Sequence, residues 1–435
     1  MYTRVARDAF YTFAVTVANT AIGFLSSVLI AYNLGPDAQG VLKVVLLLPA
    51  LLYTFLNLGV ESSILYYGSL EKCFASMNRL TARITLLFLL GSAAAGAAAI
   101  WLGGAIFHYY DGIPLEYLFA VVPLAPLSFY LSMQTVLIRS ENNYRKFNLV
   151  SIARQAAYVA AALCVLAVKS PWTVIAANYF AVIVGIALCK AGAKHGNSGG
   201  VRLHRRGFLK YGLKSYFSSI INFVNYRFDL VYLTPLESKQ QIGLYSVAQS
   251  LSELIWAIPN SVSVVLLPRT VTMGRDEKTE VYLRMSRYIS TVMVAVVVLA
   301  MLAAGSLIPL VYSSRYAGAV LPFKLLLAGT FFMTYAKIFG NAIAAMGLPE
   351  KNIYANAAGS VANVIANIIL IPQYGIIGAA IAGSISYSVS GVVSVIVFLR
   401  LNRGRARLTD MLVVNREDIA AVARVVNRKL ARRRG

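Results

Sequence analysis

Twelve separate stretches of this chain are each about twenty residues long and dense in Leu, Val, Ile, Ala and Phe, which removes most folds from consideration. A run of that length wound as a helix crosses a hydrocarbon layer of about 30 Å, whereas apolar runs in water-soluble domains rarely pass about a dozen residues. The stretches fall at 10–32, 41–66, 84–107, 116–138, 148–168, 172–190, 212–233, 242–266, 288–311, 321–346, 353–371 and 376–399. Over 435 residues the chain is 58% hydrophobic and 13% charged, with a mean hydropathy of +0.68. The expected fold class is an all-α integral membrane protein of twelve transmembrane helices.

The net charge of +23 invites a nucleic-acid reading, but the positions of the 40 Lys and Arg give a different account. With the spans above, 32 of them fall on the side of the amino terminus and three (Lys169, Lys239 and Arg315) on the other. Such an asymmetry in short loops places both termini in the cytoplasm and requires an even number of crossings. Anionic lipid headgroups account for part of the basic balance. No basic region carries interleaved exposed aromatics, so no nucleic-acid partner is expected. The run after MYTRVARD is too long for a signal sequence and is expected to remain as the first helix. Cys73, Cys164 and Cys189 suggest neither a disulfide framework nor a metal site. His108, His195 and His204 lie in unrelated loops, no catalytic or phosphate-loop motif occurs, and neither an enzyme activity nor a cofactor is expected.

The chain matches itself at a nearly constant offset. A shift of 203 residues lays Asn19 on Asn222, Gly40 on Gly243 and Asn57 on Asn260, and a shift of 205 lays Lys146 on Lys351. Repetition after an even number of crossings gives two halves in the same orientation, related by an axis along the membrane normal. The expected domains are a six-helix lobe at 1–190, a Gly-rich cytoplasmic linker at 191–207, a second six-helix lobe at 208–400 and a basic tail at 401–435. In the tail, Ile419, Val422, Ala423, Val426 and Leu430 share one helical face, which reads as a helix on anionic lipid or else as a disordered basic tail. Transporters built from such halves place their substrate between them and expose it alternately to each side.

Polar residues recur on single helix faces, and lipid obliges such faces to meet other helices or water. One helix lines up Asn356, Ser360, Asn363 and Asn367, a stripe that serves equally as cavity lining or as interhelical glue. Others line up Tyr53, Asn57 and Glu61; Gln249, Glu253 and Asn260; Ser151, Arg154, Gln155 and Tyr158; and Thr330, Thr334, Lys337 and Asn341. In FVNYRFDLVYL (223–233), Asp229 shares a face with Asn222 and Asn225, while Arg227 projects to the opposite side. Charged groups inside spans are costly and point to cavities or buried pairs. Lys43 and Lys324, near the ends of their apolar runs, are expected to reach the membrane surface. The cavity candidates are Arg154, Arg227, Lys337, Asn57, Asn222, Asn225, Asn260, Asn356, Asn363 and Tyr53. Glu61, Asp229 and Glu253 are candidates for coupling to a cation gradient, because a buried carboxyl binds protons more readily.

Three blocks, AYNLGPDAQGVLKVVLLLPALLYTFLNLGVESSILYYG (31–68), QQIGLYSVAQSLSELIWAIPNSVSVVLLPRTV (240–271) and AAMGLPEKNIYANAAGSVANVIANIILIPQYGIIGAAIAGSISYSVSG (344–391), occur in the order found in one family. The chain resembles the oligosaccharide flippases of polysaccharide biosynthesis, the Wzx type, in the superfamily that also holds multidrug extruders and lipid II flippases. The resemblance implies a V-shaped pair of lobes around a central cavity that moves an undecaprenyl-diphosphate-linked glycan to the outer leaflet. It also implies a cationic cavity, matched in kind by Arg154, Arg227 and Lys337, and partnership with a polysaccharide polymerase and a chain-length regulator. A multidrug or cation antiporter of the same architecture is the alternative.

Overall fold

The structure is a computed structural model that describes residues 2–71, 74–105, 108–191, 205–270, 273–403, 406–407 and 411. The expected linker at 191–207 and the tail from 401, including its apolar face, fall largely outside the described residues. The first half of the chain forms α1 (Tyr2–Leu56), α2 (Val60–Glu71), α3 (Phe74–Ala105), α4 (Leu115–Val121), α5 (Leu124–Ser140), α6 (Tyr144–Ala162) and α7 (Pro171–Lys190). The second forms α8 (Arg205–Leu233), α9 (Lys239–Ile255), α10 (Ala257–Thr270), α11 (Arg275–Tyr312), α12 (Val320–Ala345) and α13 (Asn352–Leu401). Among the described residues there is no strand.

Eight helical stretches among the described residues are long and apolar enough to cross a membrane. Two of them, Tyr11–Leu56 with 46 residues and Pro349–Leu401 with 53, have the length of two crossings each. Both break at a glycine in the left-handed region, Gly35 (φ 80°) in α1 and Gly375 (φ 56°) in α13, which L side chains adopt only at a cost. Pro36 follows the first break and removes a backbone donor there. The chain turns back at Gly35: Thr12 accepts a hydrogen bond from Asn148 at the start of α6, and Gly68 lies against Ser140 at the end of α5. The end holding Thr12 and Gly68 is here the near end, and that holding Gly35 the far end.

Three expected helices are not continuous. The run at 41–66 is interrupted at Leu58 and Gly59, both with positive φ, between α1 and α2. The run at 242–266 bends at Trp256 between α9 and α10, ahead of Pro259, and the run at 116–138 bends at Pro123 between α4 and α5. Apolar side chains continue through these breaks, so hydropathy does not register them. The α9–α10 pair and α8 are absent from the eight apolar stretches because α9 is short and α8 carries several charges.

Each half has its own core. One cluster gathers Leu48, Ile64, Met77, Leu118, Phe129 and Leu137 of the first half, and another gathers Tyr245, Tyr312, Tyr316, Phe323, Leu326 and Tyr387 of the second. Between them the closest approach pairs the two glycines that the internal repeat superposes. A β-carbon on Gly40 would stand 1.7 Å from the Lys239 carbonyl oxygen, and one on Gly243 would stand 1.9 Å from that of Pro36. The backbones of α1 and α9 therefore touch at the far end, the small-residue packing that membrane helices use for close approach. Arg315 donates to the Tyr32 carbonyl at 2.6 Å and Tyr316 to that of Ala31 at 2.9 Å, closing the same end. Toward the near end, α2 meets α8 through Ser62 and Ser215 (2.6 Å), Ser63 and the Phe208 carbonyl (2.7 Å), and Gly59 against the Gly212 carbonyl.

Gly40→Val would drive a methyl-bearing side chain into a backbone carbonyl, a clash of the kind that costs about 1–3 kcal/mol or more. In a cysteine-free background, a Gln241→Cys probe at the far end should gain maleimide labelling in Gly40→Val relative to Gly40 protein. Equal labelling with an equal unfolding temperature would refute the contact.

Candidate functional site

The two charges of FVNYRFDLVYL go to opposite sides of α8. Asp229 is 2% exposed and turns into the second lobe, where it accepts from the Tyr245 hydroxyl, from Gln249 Nε2 at 3.1 Å and from the Leu230 amide at 2.7 Å. Asn225 is equally buried and accepts from Ser386 Oγ at 2.5 Å. Arg227 instead meets Glu253 of α9, with Nη1 to Oε1 at 2.9 Å and Nη2 to Oε2 at 3.5 Å. The pair is only half buried, with side chains 41% and 24% exposed.

Glu253 opens onto a cavity of about 490 Å³ between the lobes. Its walls are the first half of α1 (Phe13, Thr16, Val17, Thr20) and the bend from α9 to α10 (Glu253, Asn260). Beside the pair, Lys337 of α12 places its ammonium 5.4 Å from the ring centre of Tyr226 and 5.1 Å from that of Trp256, with Nζ 3.4 Å from the Tyr226 hydroxyl. Trp256 packs edge-on to Tyr387 at 5.0 Å. Lys43 of α1 lies within electrostatic range of both Arg227 and Glu253. Arg227 is thus bonded to Glu253, and Lys43 of the first lobe and Lys337 of the second lie within electrostatic range of the same carboxylate, with Asp229 also in range of the pair.

Lys43 was expected at the membrane surface, and its place beside Arg227 corrects that. Its depth was counted from the start of the apolar run at residue 41, whereas the helix starts after the break at Gly35. The aromatic partners Tyr226, Trp256 and Tyr387 were also not singled out; Pro259 close after Glu253 signalled a helix break beside a charge.

A second cavity, of about 350 Å³, lies within the first lobe among α1, α5, α6 and α7, and Tyr53, Ser128, Ser132, Thr135, Ser151 and Arg154 line it. Glu61 accepts from both Tyr53 and Ser132 at its edge. Asn57 sits at the break before α2, half buried, and Asn19 donates to Ser151 at 2.8 Å. The structure therefore places Glu253 and Asn260 on the wall of one cavity, with Arg227 bonded to Glu253 and Lys337 within electrostatic range of it, and Tyr53 and Arg154 on the wall of another, with Glu61 bonded to Tyr53.

The remaining sequence candidates lie elsewhere. Asn363 is fully buried within the second lobe, its carboxamide oxygen accepting from Asn367 at 2.9 Å, and Ser360 donates to the Ile221 carbonyl of α8 at 2.7 Å. That stripe joins α13 to α8. Asn356 and Asn222 are half buried, and neither lines the two cavities described.

Eight apolar stretches among the described residues that are long enough to cross a membrane, with charged groups set within the helices, define a multi-pass membrane protein. The family described as "polysaccharide biosynthesis protein" matches residues 29–321, and the chain belongs to it. Among curated proteins it is similar to the capsular polysaccharide biosynthesis protein CapF of Staphylococcus aureus, 24% identical over 178 residues, 40% of this chain and 45% of that one. It is also similar to the uncharacterized membrane protein MJ1375 of Methanocaldococcus jannaschii, 26% identical over 163 residues, 37% of this chain and 38% of that one. The matched stretch thus spans less than half the length of either relative. Among solved structures, the lipid II flippase MurJ in an inward closed conformation matches with a TM-score of 0.74 at 16% identity, covering 92% of this chain and 89% of that one. An inward-facing multidrug resistance MATE transporter matches with a TM-score of 0.65 at 14% identity, covering 89% and 96%. These likenesses establish a shared fold.

The two charges of α8 should separate by mutation. Asp229→Ala strands a buried hydroxyl and a carboxamide and should lower unfolding stability by about 2–3 kcal/mol. Arg227→Gln, at a half-exposed pair, should cost about 1 kcal/mol or less. Thermal unfolding of the detergent-purified variants checks this, and the reverse ranking would overturn the placement.

Proposed function

We propose that the protein is a flippase that moves an undecaprenyl-diphosphate-linked oligosaccharide from the cytoplasmic to the outer leaflet. One observation carries the reading: Arg227 pairs with Glu253, a wall residue of the interlobe cavity, and Lys43 and Lys337, one from each lobe, lie within electrostatic range of that carboxylate. A diphosphate leaving the headgroup region needs cationic partners, and a guanidinium can take two of its oxygens at once. Arg227, half exposed, can exchange Glu253 for phosphate, while Lys337 and Lys43 supply further positive charge. The glycan passes between the lobes and the prenyl chain stays in the bilayer.

In this reading the helices make twelve crossings with both termini cytoplasmic, as the 32-to-3 distribution of basic residues favours. The near end is then cytoplasmic, and the Gly40–Gly243 and Arg315–Tyr32 contacts form the outer closure that must part before release. Glu61 and Glu253, the carboxylates at the two cavities, are the groups through which a cation gradient would drive the cycle. The site is less suited to organic cations, because Lys337 already fills the aromatic corner that would receive one.

Deleting the gene should abolish surface polysaccharide, and wild-type protein should restore it. Arg227→Gln and Lys337→Gln, at equal membrane abundance, should restore roughly a tenth or less, from the loss of a charged hydrogen bond to phosphate. Full display by both variants would exclude this site. Ethidium resistance conferred by the wild type, with unchanged polysaccharide in the deletion, would favour an antiporter instead.

A further inference from the structure

The cavity inside the first lobe is separate from the diphosphate site and has a different chemistry. Arg154 lies ten residues into α6, about 15 Å of helical rise from Tyr144 and so near the middle of a 30 Å hydrocarbon layer. No hydrogen bond or ion pair holds its guanidinium among the described residues, and the side chain is exposed to the cavity it lines. A cation at that depth is costly unless it faces water or an anion. The acid at the cavity's edge does not pair with it: Glu61 Oε1 takes the hydroxyls of Tyr53 and Ser132, and among the described residues no ion pair joins Glu61 to Arg154.

The other polar walls are hydroxyls. Tyr53, Ser128, Ser132, Thr135 and Ser151 surround the space, and Phe147 and Val182 add apolar surface. Tyr53 and Ser132 spend their protons on Glu61 and Thr135 on the Ser132 carbonyl, so these oxygens keep acceptor capacity toward the cavity, while Ser151, which accepts from Asn19, keeps its proton to donate. A ligand that suits them carries several hydroxyl donors and a single negative charge for one guanidinium. A diphosphate, with more charge, is better served by Arg227, with Lys43 and Lys337 in range of the same carboxylate. The volume of about 350 Å³ lies within the range of small-molecule sites, about 300–1,000 Å³.

We propose that this cavity is a subsite for a carboxylate-bearing sugar, with Arg154 pairing the carboxylate and the hydroxyls of α1, α5 and α6 taking the ring. The inference rests on the flippase reading and narrows its substrate to glycans that contain an acidic sugar. Arg154 and a planar carboxylate match as a fork of two hydrogen bonds, which a lysine at this place would not reproduce.

The test uses the full chain in lipid nanodiscs with three synthetic probes: undecaprenyl diphosphate, the same lipid bearing a glucosyl-glucose disaccharide, and the same bearing a glucuronosyl-glucose disaccharide. Wild-type protein should bind the glucuronosyl lipid roughly tenfold or more tighter than the glucosyl one. R154Q should lose that preference while keeping its affinity for the other two probes within about twofold, and R154K should keep only part of it. No preference in the wild type would overturn the proposal, as would an R154Q variant that weakens all three probes alike. Should R154Q fail to reach the membrane, the wild-type comparison decides alone. If undecaprenyl diphosphate itself does not bind and R227Q changes nothing, the flippase reading fails. Free sodium glucuronate that binds wild type and not R154Q would then still support the subsite.

Discussion

Where α1 crosses α9, Gly40 and Gly243 let two backbones meet with no side chain between them, and the placement of everything below follows from that crossing. In lipid no hydrophobic force presses two apolar helices together, so close packing of small residues and interhelical hydrogen bonds must do it. The crossing holds the far end shut with the help of Arg315 and Tyr316, and the lobes part further down, where the first half of α1 faces the bend at Trp256. It also carries Lys43, three residues beyond Gly40, into range of Arg227 and Glu253 on the other lobe. A wider crossing would leave a second-lobe pair with no first-lobe cation beside it.

Keeping Arg227 and Asp229 two residues apart might look like local neutralisation, yet the two groups do separate work. Asp229 is saturated by a hydroxyl, a carboxamide and a backbone amide, and it ties α8 to α9 inside the lobe. Arg227 is held by one carboxylate at the cavity and remains half exposed. A buried and fully bonded ion is a structural element, whereas an ion with open coordination beside water is available to a ligand. The same distinction separates Glu61, bonded by two hydroxyls, from Arg154, which has no such partners.

Much of this architecture could be read from the chain. The apolar runs marked the helices, and the recurrence at 203 residues picked out Gly40 and Gly243, the two residues that meet. The helical wheel of α8 placed Asp229 and Asn225 together and Arg227 apart, as observed. The wheel could not say which face met the cavity, because both faces are polar and burial depends on helices distant in sequence. It also could not separate glue from lining in the Asn stripe of α13, where Ser360 bonds to α8 and Asn363 to Asn367. Lys43 was misplaced for a different reason: its depth depends on a break at Gly35 that apolar flanks conceal.

One element touches every part of the site. Within α1, Ala31, Tyr32 and Gly40 make the far-end contacts, Phe13 to Thr20 wall the interlobe cavity, Lys43 approaches the charged pair, and Tyr53 borders the cavity of the first lobe. The break at Leu58 and Gly59 then passes the chain to α2, whose serines hold α8. Gly35 and Gly59 bracket the second half of α1, and glycine at positive φ lets such a segment join its neighbours at an angle without strain. In the proposed cycle a ligand that draws Lys43 toward phosphate pulls on this bracketed segment, and that segment carries the Gly40 contact closing the far end. Occupancy of the cationic site and the state of the outer closure would thus be linked through a few turns of one helix, with no longer relay required.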